Sequence, residues 1–313
     1  MAVYITIDGG TTNTRIRLVS NGQVISSGKI SRGAASGMHG RDAWCSSISQ
    51  MICQLLANAP RYADRISCIL ASGMITSEFG LYKVDHIPAP AGIGELHDNL
   101  VEVMLPDISE LPFVFVPGVI QTGDTIDMMR GEETELVGIR EEAWGECIYV
   151  LPGSHTKIIE TDAHGRISRF STLLTGEMAN ALSGHTILAD AVDLTMDTFD
   201  PAALSEGCRY SREYGINRAL FQVRIRKNVR RQTPVEVYSF FLGCILSAEI
   251  DEILRYPQKT VVIGGRAPLR NALHTLLSEY GNKEVICLTD EAVELSVIRG
   301  VIRIYEYRGN QMI

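Results

Sequence analysis

The sequence predicts an α/β protein made of two similar domains with a cleft between them. Its 313 residues exceed what one ordinary hydrophobic core organises and fit two domains of roughly 150 residues each. Two short glycine-bearing turns, near residues 8–15 and 152–157, each lie between apolar β-like runs. Strand and helix periodicity alternate after each turn, which is typical of mixed sheets covered by helices. We therefore predict one domain over residues 1–143 and a second over residues 144–313.

The first domain is predicted to begin with an antiparallel meander. The glycine turn and Asn21-Gly22, a dipeptide that favours tight hairpins, join three β-like runs over residues 3–7, 16–19 and 23–29. Residues 42–58 then carry apolar side chains at helical spacing, and a further strand is expected over residues 66–71. Three strands, a helix, a strand and further helices are the order of a ribonuclease-H-like domain, one half of an actin-like ATPase.

The first turn has the composition of a phosphate-binding hairpin. Gly9 and Gly10 permit backbone conformations that a Cβ forbids, so main-chain N–H groups can approach an anion closely. Asp8, at the end of the first strand, is a candidate ligand for Mg²⁺. The turn also offers short side-chain donors, namely Thr11, Thr12 and Asn13. The alternative is an ordinary hairpin turn, but the chain contains neither a Walker loop nor a dinucleotide fingerprint that would bind phosphate instead.

A candidate substrate loop follows the strand at residues 66–71. Open α/β sheets bind ligands at the carboxyl ends of their strands, and this end carries Gly73, Met74, Ile75 and Thr76. A simple connection between a strand and a helix is the alternative.

The segment over residues 118–133 is predicted to be catalytic. Asp124 is expected to cap a helix that starts at Thr125, with Asp127 three positions later as in a capping box. The positive end of a helix favours an ionised carboxylate, which a general base for a sugar hydroxyl needs. Either aspartate is therefore a candidate base, and plain helix capping is the alternative.

Three charged residues, Arg130, Glu132 and Glu133, are expected on the same helix. They are interpreted either as solvated charges or as hydrogen-bonding groups for a polyhydroxy acid. Arg15, just after the first turn, and Arg130 are alternative partners for a substrate carboxylate.

The second half repeats the opening hairpin. Runs over residues 147–151 and 158–161 flank a glycine turn whose candidate phosphate-binding residues are Gly153, Ser154, His155, Thr156 and Lys157. A structural role is the alternative for His155, because a lone histidine is usually structural. Such a duplication is what a two-domain clamp on a polyphosphate requires.

The rest of the second half continues the same order. A third strand over residues 167–174 precedes a helix that opens at Thr175, and helices are expected near 201–214 and 234–254. A buried strand over residues 261–263 then runs into candidate nucleotide-binding residues, Gly264, Gly265 and Arg266. Adjacent glycines let backbone pack flat against a planar ring such as adenine. A strand over 285–288 and a helix over 292–305 are expected to close this domain.

Composition excludes several classes of protein. The chain has 45% hydrophobic and 21% charged residues, no apolar run of the roughly 18 residues that span a bilayer, and no basic leader at its start, so we expect a cytoplasmic protein without a membrane partner. Seven scattered cysteines argue against disulfides or structural zinc. A net charge of −8 disfavours nucleic-acid binding, and the basic run over residues 224–231 is interpreted as a solvated face.

The whole chain resembles the 2-keto-3-deoxygalactonate kinases of the sugar-kinase, Hsp70 and actin superfamily. The resemblance rests on four motifs in the family's order and spacing, which are Ser72-Gly73-Met74, Met128-Met129-Arg130-Gly131-Glu132-Glu133-Thr134, Leu151-Pro152-Gly153-Ser154-His155-Thr156-Lys157 and Thr175-Gly176-Glu177-Met178.

This resemblance implies transfer of the γ-phosphoryl of ATP, with Mg²⁺, to the 6-hydroxyl of 2-dehydro-3-deoxy-D-galactonate in galactonate degradation. We expect ATP to lie between the halves with its phosphates on both hairpins, and Asp124 or Asp127 to take the hydroxyl proton. A sugar-acid-binding regulator that transfers nothing and a kinase for another sugar or sugar acid are alternatives. The oligomeric state stays open, with a homodimer as one alternative.

Overall fold

The protein is described from a computed structural model over residues 2–38, 40–141, 144–279 and 281–309. It divides into two compact units, one of Met1–Glu142 with Glu294–Ile313 and the other of Ala143–Val293. The boundary that we predicted from the sequence, between residues 143 and 144, lies close to this one, but the prediction assigned all of residues 144–313 to the second domain. The end of the chain instead packs with the first unit.

The main sheet of the first unit has six strands in the order β3-β2-β1-β4-β7-β6. Its antiparallel meander forms as predicted, with β1 and β2 joined by the glycine turn. β4 lies parallel to β1, so that Asp8 faces Ser72 and Gly9 faces Gly73 at the carboxyl ends of the two strands. The strands are β1 (Val3–Gly9), β2 (Thr14–Ser20), β3 (Gln23–Ile30), β4 (Ile66–Gly73), β6 (Val101–Val103) and β7 (Phe113–Phe115).

Helix α1 (Arg41–Asn58) covers one face of this sheet. Its buried side chains, Trp44, Ile48, Ile52 and Leu55, recur every three or four residues and therefore form one apolar stripe. They share a core with alternate residues of β1 and β2, such as Ile5, Ile7, Ile16 and Leu18. Two shorter helices, α2 (Ile93–Asp98) and α3 (Glu132–Ile139), follow later in this unit.

A small second sheet contains part of the segment over residues 118–133, which we predicted from the sequence to include a catalytic helix. β5 (Ile87–Pro88), β8 (Val119–Gln121) and β9 (Asp127–Met129) form this sheet, and β8 and β9 make an antiparallel hairpin. The prediction of a helix from Thr125 is therefore wrong. Asp124 lies in the exposed loop of the hairpin and Asp127 begins β9, so neither carboxylate caps a helix.

The second unit repeats the topology of the first. Its sheet has the order β12-β11-β10-β13-β14, with β10 to β12 antiparallel and β10, β13 and β14 parallel. The first three strands again form a meander, and the fourth strand again lies beside the first. The strands are β10 (Ile148–Leu151), β11 (Thr156–Thr161), β12 (Ile167–Leu173), β13 (Thr260–Ile263) and β14 (Glu284–Cys287). Both halves therefore have the predicted ribonuclease-H-like fold of actin-like ATPases.

Helices of the second unit pack around α7, which is buried along most of its length. The long apolar face predicted near residues 234–254 accounts for this. The helices are α4 (Thr175–His185), α5 (Pro201–Tyr214), α6 (Ile216–Asn228), α7 (Pro234–Arg255) and α8 (Leu269–Ser278). No helix in the described part of the chain is long and apolar enough to cross a bilayer.

The basic run over residues 224–231 is not simply a solvated face. The side chain of Arg226 is only 3% exposed and pairs with Glu206. Its guanidinium carbon also lies 3.7 Å from the centre of the Phe240 ring, a cation–π contact. Arg224 and Lys227, which stay partly exposed, pair with Asp190. Internal ion pairs therefore explain much of this charge.

The last helix, α9 (Asp290–Glu306), explains why the end of the chain belongs to the first unit. A Cβ on Gly138 of α3 would lie 1.7 Å from the Ser296 carbonyl oxygen, and one on Gly300 would lie 1.9 Å from that of Thr134. Such helix backbones can approach only because both positions are glycine. The Tyr4 hydroxyl adds a 2.9 Å hydrogen bond to Glu306.

Candidate functional site

The first turn, residues 9–13, presents polar groups at the end of β1. The Gly10 N–H donates to the Asn13 carbonyl at 2.9 Å, which closes the turn. The side chains of Thr11 and Thr12 are exposed, and the Asn13 amide donates to the Thr12 hydroxyl. The exposed hydroxyls are available to an anion, as a phosphate-binding hairpin requires.

The segment after β3 fixes this turn from one side. The Ala34 and Ala35 N–H groups donate to the carbonyls of Gly10 and Thr11 at 3.1 and 2.9 Å. A Cβ on Gly33 would lie 2.2 Å from the Gly10 carbonyl oxygen, so only glycine permits this approach.

The end of β4 fixes the first turn from the other side. Gly73 has a φ of +86°, and a Cβ there would lie 2.7 Å from the Gly9 carbonyl oxygen. A Cβ on Gly9 would in turn lie 2.4 Å from Cβ of Ile75. The first turn is thus held between two close glycine contacts, and its shape is set before any ligand binds.

Asp8 is the carboxylate at this turn. Its side chain is 24% exposed and its Oδ2 lies 3.2 Å from Nη1 of Arg15, whose side chain is 33% exposed. Among the residues that the structure describes, no three His, Cys, Asp or Glu side chains cluster as an all-protein metal cage would need. Mg²⁺ usually takes one or two carboxylates and completes its shell with water and phosphate. A single partly exposed carboxylate beside exposed hydroxyls fits that kind of site.

The loop after β4 is mostly a support. Ile75 and Thr76 were predicted to bind substrate, but both side chains are fully buried. Thr76 donates to the Gly73 carbonyl and accepts from Nη1 of Arg130 at 2.5 Å. Gly73 is buried as well, whereas Met74 remains partly exposed. Of the four residues in this loop, Met74 is thus the one whose side chain a ligand can reach.

Arg130 precedes α3 rather than lying on it, and its guanidinium contacts other parts of the unit. It donates to the carbonyls of Thr76 and Val84, both at 2.9 Å, and lies 3.1 Å from Nδ1 of His86. Burial lowers the pKa of Arg130. Because these contacts occupy both terminal nitrogens, Arg15 has the more accessible guanidinium for a ligand carboxylate.

The side chains of Glu132 and Glu133 accept backbone N–H groups from the two residues that precede α3. Glu132 accepts the Arg130 N–H at 3.0 Å, and Glu133 accepts the Gly131 N–H at 2.7 and 2.8 Å. Glu133 is fully buried, so it is not a solvated charge, and burial together with the charge of Glu132 raises its pKa to about 7. A Cβ on Gly131 would lie 3.2 Å from the Gly73 Cα. Both glutamates therefore hold the backbone next to the loop after β4.

The second turn, residues 152–155, is held in the same manner. The Gly176 N–H donates to the carbonyls of Gly153 and Ser154 at 3.2 and 3.0 Å, and the Glu177 N–H donates to Ser154 at 3.2 Å. A Cβ on Gly176 would lie 2.6 Å from the Gly153 oxygen. The start of α4 thus takes the place that the segment at Gly33 to Ala35 has in the first unit.

The end of β13 completes the parallel. Gly265 has a φ of +68°, and a Cβ there would lie 2.6 Å from the Pro152 carbonyl oxygen. The Gly264 N–H donates to the Val150 carbonyl at 2.9 Å, which continues the parallel pairing of β13 with β10. Gly264 is buried and Arg266 is exposed, so Arg266 is the side chain here that a ligand can reach.

Side chains of the second turn differ in accessibility. Ser154 and His155 are exposed, and Nε2 of His155 lies 2.9 Å from the Glu177 carboxylate. Thr156 is fully buried, and Lys157, 5% exposed, donates to the Thr172 hydroxyl at 2.5 Å. Of the predicted phosphate ligands, the backbone of the turn and the side chains of Ser154 and His155 are thus the accessible ones.

Comparison with known proteins agrees with this architecture. The sequence pattern of the 2-keto-3-deoxy-galactonokinase family matches residues 8–302. The chain belongs to this family. A 2-dehydro-3-deoxygalactonokinase of Escherichia coli K12 is 25% identical over 261 residues, 82% of each chain. A Rhizobium meliloti protein assigned the same activity is 27% identical over 304 residues, 93% of this chain and 94% of the relative.

A solved structure extends the likeness to three dimensions. A Sinorhizobium meliloti protein assigned as a 2-dehydro-3-deoxygalactonokinase superposes with a TM-score of 0.78 at 25% identity, over 97% of this chain and all of the other. The family match spans both turns, the hairpin of β8 and β9, and the fourth strand of each unit. Membership in the 2-keto-3-deoxy-galactonokinase family therefore concerns both units and not one of them.

Sequence reasoning missed one residue near the second turn of this family member. Glu249 lies on α7, is 1% exposed, and accepts a hydrogen bond from the Thr175 hydroxyl. Burial raises its pKa to about 7. The signal was present, since a single glutamate between Ala248 and Ile250 interrupts an apolar stretch. A carboxyl buried at such a place requires a partner.

Proposed function

We propose that the protein transfers the γ-phosphoryl of ATP to the 6-hydroxyl of 2-dehydro-3-deoxy-D-galactonate, giving 2-dehydro-3-deoxy-6-phospho-D-galactonate in galactonate catabolism. The observation that carries the proposal is the pair of glycine turns, each held between two close glycine contacts, in a member of this kinase family. The same proposal places the enzyme in the cytoplasm, where ATP is available.

Rigid turns suit phosphoryl transfer. The reaction depends on positioning and on neutralising charge more than on covalent chemistry by the protein. A turn whose carbonyls already bond to the chain does not need to reorganise when phosphate oxygens arrive. In this proposal the first turn and the second turn each bind phosphate oxygens of the nucleotide, Gly264 and Gly265 border the adenine, and Arg266 lies beside it.

Asp8 is the residue that would hold Mg²⁺. When bound, the ion supplies neutralisation of the phosphate charge. Asp8 is positioned by its place in β1 and by the 3.2 Å contact with Arg15. Arg15 then has a second role, because its partly exposed guanidinium suits the carboxylate that distinguishes a sugar acid from a neutral sugar.

Asp124 and Asp127 are the candidates for the base that accepts the proton of the 6-hydroxyl. On the hairpin of β8 and β9, Asp124 is exposed and Asp127 is partly exposed, so a substrate can reach either carboxylate, although not by the helix mechanism predicted from the sequence. Asp127 accepts the Met128 N–H at 2.7 Å, which fixes its orientation, while Asp124 lies in the loop. We favour Asp127, because a base must be held in a defined geometry.

The proposal is tested by coupled ADP release with 2-keto-3-deoxygalactonate, 2-keto-3-deoxygluconate and neutral hexoses, with and without Mg²⁺. We expect turnover that depends on Mg²⁺ and on the galactonate-derived acid. Turnover with neutral hexoses alone would reject the proposed substrate. Nucleotide binding without any turnover would favour a regulator instead.

The base is tested separately with Asp127→Asn and Asp124→Asn, which keep the shape of the side chain. We expect the first to lower kcat by about a hundredfold or more, the usual range for loss of a general base, and the second to lower it much less. Near wild-type turnover by both variants would show that the base lies elsewhere.

A further inference from the structure

A buried side-chain link supports each turn from the helix beneath it. In the first unit, the indole N–H of Trp44 on α1 donates to the Thr14 hydroxyl at 3.0 Å. That hydroxyl donates to the Arg32 carbonyl at 2.8 Å. Thr14 begins β2, and Arg32 precedes the segment that bonds to the first turn. The link therefore joins the helix to both sides of the turn and contains no ionisable group.

The second unit has an ionisable group in the corresponding place. α7 precedes the fourth strand β13 just as α1 precedes β4. From α7, Oε1 of Glu249 accepts a hydrogen bond from the hydroxyl of Thr175, the first residue of α4. Thr175 directly precedes Gly176 and Glu177, whose N–H groups bond to the second turn. The residue that Glu249 contacts is thus directly followed in the sequence by the two residues whose N–H groups fix the second turn.

Two buried oxygens at this place have no hydrogen-bond partner among the described residues. They are Oε2 of Glu249 and Oγ1 of Thr156, the first residue of β11. The Thr156 hydroxyl nevertheless lies close enough to the carboxylate to lower the pKa of Glu249, while burial, the larger influence, raises it. Leaving a buried polar atom without a partner is unfavourable, so a small rotation that lets the Thr156 hydroxyl donate to Oε2 of Glu249 is favourable.

We infer that Glu249 is a positioning residue that bridges Thr175 and Thr156 and thereby holds the second turn in its phosphate-binding shape. Its relevance to catalysis depends on the proposed function, but the bridge itself does not. Thr175 and Thr156 begin the two elements, α4 and β11, that adjoin the turn. One carboxyl group that contacts both hydroxyls couples these elements, as Trp44 does through Thr14 in the first unit.

The side chain of glutamine provides a matched substitution. Its carbonyl can accept from Thr175 and its amide can donate to Thr156, so Glu249→Gln retains the bridge without a charge. Glu249→Leu has a similar volume and removes the bridge. Glu252→Leu, which removes a carboxylate one turn later on α7, is the control, because Glu252 contacts Ser171 and Arg255 and not the second turn.

Amide hydrogen exchange measures the bridge without any substrate. We expect Glu249→Leu to speed exchange at the Gly176 and Glu177 amides about tenfold, the effect of losing one hydrogen bond. Glu249→Gln and Glu252→Leu should leave these amides unchanged. Trp44→Phe should speed exchange at Ala34 and Ala35 only. Wild-type exchange at Gly176 and Glu177 in Glu249→Leu, or equal acceleration over the whole second unit, overturns the inference.

Thr175 gives a second test if Glu249→Leu does not fold. Thr175→Ser keeps the hydroxyl and should exchange like the wild type, whereas Thr175→Val removes it and should exchange about tenfold faster at Gly176 and Glu177. Wild-type exchange in Thr175→Val would overturn the bridge equally.

Kinetics then connect the bridge to the proposed function. Because the second turn is proposed to bind phosphates, we expect Glu249→Leu to raise the KM for ATP about tenfold with a smaller change in kcat, and Glu249→Gln to restore it. An unchanged KM in an active Glu249→Leu enzyme rejects the catalytic relevance of the bridge. A wild-type protein without ATP turnover rejects the proposed function, while exchange still decides whether the bridge exists.

Discussion

In the first unit, the strand before the turn ends near a carboxylate, Asp8, which faces Arg15 across the hairpin. At the corresponding pair in the second unit, Leu151 faces Lys157. Both turns nevertheless have the same close contacts, from Gly33 and Gly73 in one unit and from Gly176 and Gly265 in the other. The duplicated part is therefore the backbone support, whereas the side chains that can meet an ion or a substrate have diverged. This difference is the reason that the proposed function assigns Mg²⁺ to Asp8 at the first turn.

Removal of the carboxylate at the first turn should have the largest effect. We expect Asp8→Asn to lower kcat at least about a hundredfold and to raise the Mg²⁺ concentration needed for half-maximal turnover, because the amide no longer offers a charged ligand. Coupled ADP release across a Mg²⁺ series measures both quantities. Asp162→Asn is the control, since Asp162 also pairs with an arginine, Arg166, but at the far end of β11 from the turn. If Asp8→Asn and Asp162→Asn lowered kcat equally, Asp8 would have no special role and the difference between the two turns would not concern Mg²⁺.

Among the described residues, each unit has one fully buried carboxyl, Glu133 or Glu249, and burial raises its pKa to about 7 from the ordinary glutamate value of about 4.5. The folded state therefore holds these protons more tightly than the unfolded state, and its stability is greatest below pH 4.5 for these groups and declines as pH rises to about 7. We expect the free energy of unfolding to fall by about 2–3 kcal/mol per carboxyl between pH 5 and pH 8.

Urea unfolding of wild type, Glu133→Gln and Glu249→Gln at several pH values measures this dependence. Each substitution should remove the contribution of one carboxyl to the decline of the free energy of unfolding with pH, because the amide does not titrate. A slope that both variants retain would show that other groups control it.

The close glycine contacts should be equivalent in the two units. Gly73→Ala and Gly265→Ala each place a Cβ within 2.7 Å of a carbonyl oxygen at positive φ, and we expect each to lower the free energy of unfolding by about 2 kcal/mol. Gly22 and Gly215 also have positive φ but face open space, so alanine there should cost only about 1 kcal/mol. Urea midpoints compare the four variants. If alanine at Gly73 or Gly265 lowers the free energy of unfolding no more than alanine at the control positions does, small backbone shifts are enough to remove the close contact.

The ion pair at the second turn should matter least. His155 and Glu177 have side chains that are 42% and 60% exposed, and exposed pairs contribute little. We expect Glu177→Gln to change the KM for ATP by less than about threefold, measured by ADP release. A much larger change would show that this pair orients His155 for phosphate, which would give the second turn a charged role after all.

The sequence allowed the meander of each unit to be predicted, because alternation and turn residues are local signals. It did not reveal the hairpin at Asp124 and Asp127. Two strands of three residues carry little periodicity, and an aspartate pair three positions apart imitates a helix cap. Gly123, with a φ of +120°, marks the turn, and a Gly-Asp pair between short apolar segments could have been interpreted as a hairpin.

Contacts over long sequence separation were beyond local reasoning. The burial of Arg130 and Thr76 depends on a pairing across 54 residues, and Glu249 finds Thr175 across 74. Arg130 and Glu249 are charged side chains that local sequence patterns place on the surface. Only the folded structure shows that they support the backbone near the two turns. The site was therefore predictable where its backbone is local and unpredictable where buried polar partners come from elsewhere.

The first unit is discontinuous in sequence, since Gly138 and Thr134 pack against Ser296 and Gly300. During synthesis on a ribosome, this unit must therefore wait for nearly the whole chain to be made before its α3 surface is covered. The second unit, Ala143–Val293, is contiguous and can complete its fold earlier. A chaperone that shields exposed apolar surface would consequently act on the first unit, which is synthesised first but completes its fold last.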